Sequence, residues 1–181
     1  PYVFRNADGV AEGYVVDFWK LWEARTGVKV EFAATNWADA QRRLQGGQAD
    51  VIDTIFRTPE REPLYEFTAP YADLPVAIYG HRTLSGLHGV SSLRGFEVGV
   101  MKGDACIGHL QRNGISALHY FDSYADIVSA GARQDVKIFC MDELPANYYF
   151  YKSGNGKYFF KAFDLYQGQF RRATRKGDLA T

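Results

Sequence analysis

The chain has 181 residues, enough to bury a core in one domain or in two small lobes. Its 21 basic and 21 acidic residues cancel, which removes the broad positive footprint of a nucleic-acid binder and excludes nucleic acid as a partner. No apolar run is long enough to span a bilayer, so membrane attachment is expected only through segments beyond these residues.

Taken in chain order, YVVDFWKLWEART (14–26) puts Val15, Phe18 and Trp22 on one stripe with Leu21 beside it, and Gly27 suits the position just past a helix end. The spacing predicts an amphipathic helix. VKVEF (28–32) alternates like a half-buried strand, and Asn36 is placed to cap a second helix from Trp37 to Leu44 that stops at Gly46-Gly47. A strand over 49–55 follows. The order strand, helix, strand, helix, strand over the first 56 residues predicts α/β architecture with parallel pairing, which gathers strand C-terminal ends and helix N-termini along one edge.

DVIDTIFRTPERE (50–62) delivers an acid, a threonine and an arginine to that edge. Thr58 followed by Pro59 has the form of a helix N-cap with proline in the first turn. Arg61 would then sit where the helix dipole disfavours a cation. Two readings remain open: a surface ion pair with Asp53 or Glu60, or an anion that comes from outside the chain.

The pattern then restarts. FEVGVMKGDACIGHL (96–110) predicts a strand, a tight turn at Gly103 and a helix from near Asp104. Ser123 with Asp126 marks another helix start, running to about Ala132, and VKIFC (136–140) a strand. Asp142 comes next, at the start of a helix through Tyr151. QGQFRRATRKG (167–177) predicts a more polar strand at a sheet edge, and GDLAT (177–181) the first residues of a helix. The absent initiating methionine and signal peptide, with this ending, read as an excised module of a longer chain. Two α/β units that each bring polar residues to strand ends predict a cleft between two lobes.

Cys106 and Cys140 are too few for a zinc site and lack redox spacing, leaving two buried thiols or one disulfide. His81, His88, His109 and His119 lack ligand spacing and read as surface or packing residues, so no metal or cofactor is expected.

NADGVAEGYVVDFWKLWEARTGVKVEF (6–32), NWADAQRRLQGGQADVI (36–52), TPEREPLYEFTAPY (58–71), LRGFEVGVMKGDA (93–105) and FCMDELPA (139–146) together resemble the type II periplasmic solute-binding proteins, in particular bacterial extracellular solute-binding family 3 of amino-acid-binding type. The resemblance implies a two-lobed α/β fold whose lobes, joined by two hinge strands, close on a ligand. Lobe one would comprise 1–80 and 165–181, and lobe two 81–164.

The same resemblance implies that Arg61 holds the carboxylate of an amino acid, through two parallel hydrogen bonds that lysine cannot reproduce. Asp142 matches the acid that takes the ligand amine, with helix capping as its alternative reading. Trp37 matches the aromatic that packs on the ligand, or else lies in the core. Tyr2 is near the entrance aromatic. Asp53, Thr54 and Phe56 occupy a segment that usually presents hydroxyls and amides, and depart from it by an acid. Met101, Lys102, Asp104 and Ala105 line the corresponding turn of lobe two, where Asp104 departs from the usual small hydroxyl residue. Asp53, Asp104, Asp142 and Glu143 outnumber Arg61 and Lys102, so a cationic amino acid or an amine is expected to fit better than a dicarboxylic one, unless two of these acids merely cap helices.

The wording of NWADAQRRLQGGQADVIDTIFRTPERE with GDACI and FCMDELPA is similar to versions found as extracytoplasmic sensors ahead of a transmembrane helix and a diguanylate cyclase, phosphodiesterase or histidine kinase. The alternatives are a free periplasmic binding protein of an amino-acid transporter, or an enzyme on the same fold such as a cyclohexadienyl dehydratase. No nucleophile and base constellation points to the enzyme. A third reading is a module that binds another protein. NYYFYK (147–152) suits dimerisation within a receptor.

Overall fold

The computed structural model describes residues 2–6 and 8–178. Phe4–Arg5 (β1) and Ala11–Glu12 (β2) form a short antiparallel ladder that leads into Tyr14–Thr26 (α1). The helix ends as its sequence requires: Gly27 sits at φ 75° and its N–H donates to the Glu23 carbonyl at 2.8 Å. Val15 and Val16 are buried, whereas Phe18, Leu21 and Trp22 of the expected stripe stay exposed.

Residues 28–32, expected as a strand, form no ladder among the described residues, and the Val30 N–H donates instead to the Glu23 carboxylate. Alternation supplies the faces of a strand but not its ladder, and here a groove of about 540 Å³ opens between Phe32–Thr35, α1 and the β1–β2 hairpin. The parallel pairing expected for the first 56 residues is accordingly not found among the described residues. Trp37–Gln45 (α2) forms as expected, although Asn36 makes no side-chain cap.

Ile52–Phe56 (β3) is followed by turns rather than by the helix that Thr58-Pro59 suggested. The Thr58 carbonyl accepts the N–H groups of Arg61 and Glu62, and the Arg61 carbonyl those of Leu64 and Tyr65, before Tyr65–Phe67 (β4) begins. Pro63 stops propagation, since it has no N–H to donate and disfavours helical backbone at Glu62.

Ala72–His81 (β5) and Phe159–Arg175 (β9) are long antiparallel partners on which the sheet is built. With Val98–Met101 (β6), Leu118–Phe121 (β7) and Ile138–Asp142 (β8), the strand order is β3-β9-β5-β8-β6-β7, and β4 also pairs with β9. Segment 167–177, expected at an edge, is therefore central. Its basic side chains enter ion pairs inside the sheet's first half, as Arg172 does with Asp53, so its polarity does not report an edge. Parallel pairing occurs in the second half, β6 lying between β7 and β8.

Ala105–Arg112 (α3) and Tyr124–Ala132 (α4) begin on side-chain caps from Asp104 and Ser123, and Glu143–Ser153 (α5) follows β8 directly. Leu74, Ile78, Val100, Cys106 and Leu110 pack one side of the sheet, and Tyr79, Ile127, Phe139 and Met141 the other. A separate cluster of Leu44, Ile52, Ile55, Tyr65 and Ala173 lies under α2. Two α/β halves thus share β5 and β9. The β5–β9 register shifts between Val76 and Ala77, whose partners are Tyr166 and Asp164, leaving Leu165 as an extra residue where the strands pass from one half to the other.

Cys106 and Cys140 form a disulfide, with Cα atoms 6.7 Å apart. His81 is buried against Tyr158 and Phe159, and His109 stacks on Tyr166, in line with packing roles. Among the described residues no cluster could hold a metal ion, and no helix is long and apolar enough to cross a membrane. Of the helix start expected within 177–181, Gly177 and Asp178 are not helical and 179–181 lie outside the described residues.

Candidate functional site

Arg61 pairs with neither Asp53 nor Glu60. It is only 6% exposed, and its two terminal nitrogens donate to the carbonyls of Phe56 at 2.9 Å and Gly103 at 2.7 Å. Phe56 belongs to its own half and Gly103 to the other, so this side chain crosses the seam. Burial pulls the guanidinium below its usual value, opposed chiefly by Asp104, but arginine starts so high that it keeps its charge.

The Gly103 carbonyl also accepts from Trp37 Nε1 and from Gln41 Nε2, both at 3.0 Å. Three donors from the first half therefore converge on one oxygen of the second. Gly103 has φ +77°, and a Cβ there would come within 2.5 Å of Gln41 Nε2, so both the turn and the close approach require glycine. The Arg61 guanidinium lies 5.6 Å from the Trp37 ring centroid. Glu60 pairs instead with Arg112 of α3 across the same seam.

Asp142 ends β8 in register with Val76 of β5, whose other partner is Tyr166 of β9. Its side chain does not cap α5, it is 9% exposed, and Oδ1 has no hydrogen-bond partner among the described residues. Burial first, and then Asp104, push its carboxyl well above the usual range. Asp104 does cap α3, Oδ1 accepting the Cys106 N–H at 2.9 Å, while Oδ2 accepts the Tyr124 hydroxyl at 2.8 Å. Burial raises it as well, against the Cys106 amide, Tyr124 and Arg61. The buried Tyr166 hydroxyl likewise lacks a partner, and burial together with Asp104 and Asp142 raises its phenol.

The remaining expected site residues divide. Phe56 is buried and stacks on Phe170, against which Tyr2 packs edge-on at 4.9 Å; burial and then Asp142 raise the Tyr2 phenol. Trp37 is half-buried at the seam, where its Nε1 donates to the Gly103 carbonyl, and it also packs against the cluster under α2. Asp53 is turned to other work. It accepts from Trp19 Nε1 at 2.6 Å, Arg172 Nε at 3.0 Å, the Tyr71 hydroxyl and the Thr54 N–H, all from its own half. Thr54 holds φ 59° at an irregularity of β3 and donates its hydroxyl to the Asp53 carbonyl. Met101 packs with the core, Ala105 is buried, and Lys102 pairs with Asp122 on the surface at 2.7 Å. Gln41, Tyr124, Tyr166 and the Gly103 carbonyl were not expected; they lie tens of residues from their partners, and no local pattern marks them.

Two α/β halves joined by two long strands, with an arginine and an acid facing across the seam, define the architecture of a two-lobed binding protein. The chain belongs to the bacterial extracellular solute-binding proteins, family 3, whose family model matches residues 1–178. A probable amino-acid ABC transporter-binding protein of Haemophilus influenzae is 33% identical over 72 residues, 39% of this chain and 28% of that protein's length. A histidine kinase sensor domain with similarity to periplasmic binding proteins superposes with TM-score 0.91 at 23% identity, covering 98% of this chain and 78% of its own. The holo arginine-binding protein of T. maritima gives TM-score 0.85 at 22% identity, with 98% and 79% covered. The arginine-, lysine-, histidine-binding protein ArtJ of Geobacillus stearothermophilus gives 0.86 at 19%, with 99% and 79% covered. The fold is therefore the type II periplasmic binding protein fold, in which β5 and β9 are the two strands between lobes.

Proposed function

We propose that this protein binds an amino acid or amine between its lobes outside the cytoplasm and that closure signals to a membrane-linked output domain. The observation that carries the reading is the opposition of Arg61 and Asp142, both about nine-tenths buried, with one oxygen of Asp142 unpartnered. Arg61 takes the ligand carboxylate, exchanging the Gly103 carbonyl for it, and Asp142 with Asp104 takes the ammonium. Trp37, Phe56 and Tyr2 supply apolar walls. Two acids beside one arginine favour a cationic amino acid or an amine over a dicarboxylic one. The disulfide supports an oxidising compartment, hence a periplasmic or extracytoplasmic location. Lobe one is 1–80 with 165–181 and lobe two 81–164, hinged near the Val76–Ala77 register shift. The structural likeness to a kinase sensor domain supports signalling, and the role named for the Haemophilus influenzae relative supports a transporter-binding protein as the second reading.

Calorimetric titration with the common amino acids and biogenic amines, beside Arg61→Ala, tests this. Saturable binding is expected, with affinity falling at least about 30-fold in the variant, as truncating one side of a buried charge contact costs about 2–5 kcal/mol. Absence of binding by every compound, or binding untouched by the variant, would overturn it.

A further inference from the structure

Asp104 and Asp142 come from two different elements, the turn before α3 and the end of β8, and Asp142 lies within electrostatic reach of Asp104. Tyr124 of α4 serves both: its hydroxyl donates to Asp104 Oδ2 at 2.8 Å and also lies against Asp142. The disulfide joins the residue two places after Asp104 to the residue two places before Asp142, so a covalent bridge fixes the distance between the acid-bearing segments. Strand geometry puts Cys140 and Asp142 on the same face of β8.

The charged and titratable groups around the pair are few. Arg61 faces both acids from the turn after β3, yet two of its nitrogens are already committed to the carbonyls of Phe56 and Gly103. Tyr2 approaches from the N-terminal segment, Tyr79 from β5, Tyr124 from α4 and Tyr166 from β9, and burial raises each phenol, so all four stay neutral at ordinary pH. The neighbouring Glu143 is paired with Lys161, and Lys102 is turned outward to Asp122. One committed cation faces two adjacent acids, one of which has an oxygen with no donor.

We infer that Asp104 and Asp142 act as a carboxyl pair that holds one proton in the free protein and gives it up when a ligand ammonium enters, making capture depend on pH. This rests on the solute-binding reading above. The chemistry balances without any further reactant: one carboxyl O–H bond breaks, its electron pair stays on the oxygen, and the proton passes to solvent. The ammonium keeps its own protons and donates N–H hydrogen bonds to the two carboxylates, while the ligand carboxylate goes to Arg61. Burial raises both acids, so the pair titrates above the ordinary carboxylate range. Below that titration affinity rises about tenfold per pH unit, and above it affinity is flat. Tyr124 is the positioning residue, because its hydroxyl favours the charged form of Asp104.

The test is calorimetry with L-arginine, L-lysine and L-glutamine from about pH 5 to about pH 8, each in two buffers of different ionisation enthalpy. About one proton should be released per ligand bound at the acid end. Asp104→Asn, which keeps the helix cap, should move the pH profile toward lower pH, because Asp142 loses the neighbouring charge while staying buried, whereas Tyr124→Phe should move the profile toward higher pH. Binding without proton release, or an Asp104→Asn profile that coincides with the parent's, would overturn the carboxyl pair and leave solute binding standing. A ligand found in the wider titration replaces these three if none of them binds, and absence of any binding heat from every amino acid and amine with the folded protein would overturn the solute-binding reading and the pair with it.

Discussion

The two lobes meet at one seam but are held together by different means. Lobe two is built on parallel strands with helices on both faces, and a covalent bridge ties α3 to β8 through its core. Lobe one has its own smaller cluster under α2 beside the strands it shares with the main core, a segment 28–32 that forms no ladder among the described residues, and a charge network in place of a staple. The Arg172 guanidinium sits 4.6 Å from the Phe18 centroid, 4.7 Å from Tyr71 and 5.1 Å from Trp19, and its charge is met by Asp53. The exposed Phe18 is thereby explained: it covers a cation rather than joining a core. In lobe two the buried Asp142 and the half-buried Asp104 lie on segments that the disulfide ties together. Lobe one contributes the arginine and the donors that reach across, from a turn and a helix that carry less of the core.

Three changes would break or sharpen that contrast. The largest effect should come from Cys106→Ser with Cys140→Ser. Opening a bridge between residues 34 apart costs about 4 kcal/mol by loop entropy, and the midpoint of thermal unfolding should fall by on the order of 10 °C. A fall of only a few degrees would mean that the core of lobe two, not the staple, sets its stability.

Asp53→Ala should cost about 3 kcal/mol, because it leaves the Arg172 charge partly buried without its partner. Calorimetric unfolding should show the loss. Charge screening at raised salt should narrow the gap between variant and parent only slightly, since Asp53 and Arg172 are largely shielded from water. An unchanged stability would reduce the aromatic cage to simple packing.

The smallest of the three is Gly103→Ala, which must distort a positive φ and push Gln41 off the shared carbonyl. We expect about 1–2 kcal/mol against closure, read as a larger radius of gyration in solution scattering and a weaker affinity, with little change in the unfolding of lobe two. If scattering and affinity are both unaltered, the convergence of donors on Gly103 does not govern closure.

Much of this was legible from residue order. Gly27 and Gly103 announced their left-handed turns, Ser123 and Asp104 their helix caps, and the restart of the pattern near residue 96 the second α/β unit. Arg61 and Asp142 could be named from the motifs around them. Local rules failed where partners were remote. VKVEF alternates correctly but makes no ladder among the described residues, Thr58-Pro59 begins turns because Pro63 ends them, and the polar stretch from 167 to 175 is central because β3 and β5, remote in sequence, pair on its two sides while Arg172 meets an acid 119 residues away.

The sequence by itself determined the two α/β units and most helix ends, since those follow from backbone preferences and spacing within about a dozen residues, whereas Arg61 and Asp142 were marked as a pair by the resemblance to a family. Tertiary structure alone decided which acid is satisfied and which is left with a free oxygen, that the cysteines pair, and that three side chains share one carbonyl. The reason is physical: burial and hydrogen-bond geometry are properties of the enclosing shell, and that shell is assembled from segments that are far apart along the chain.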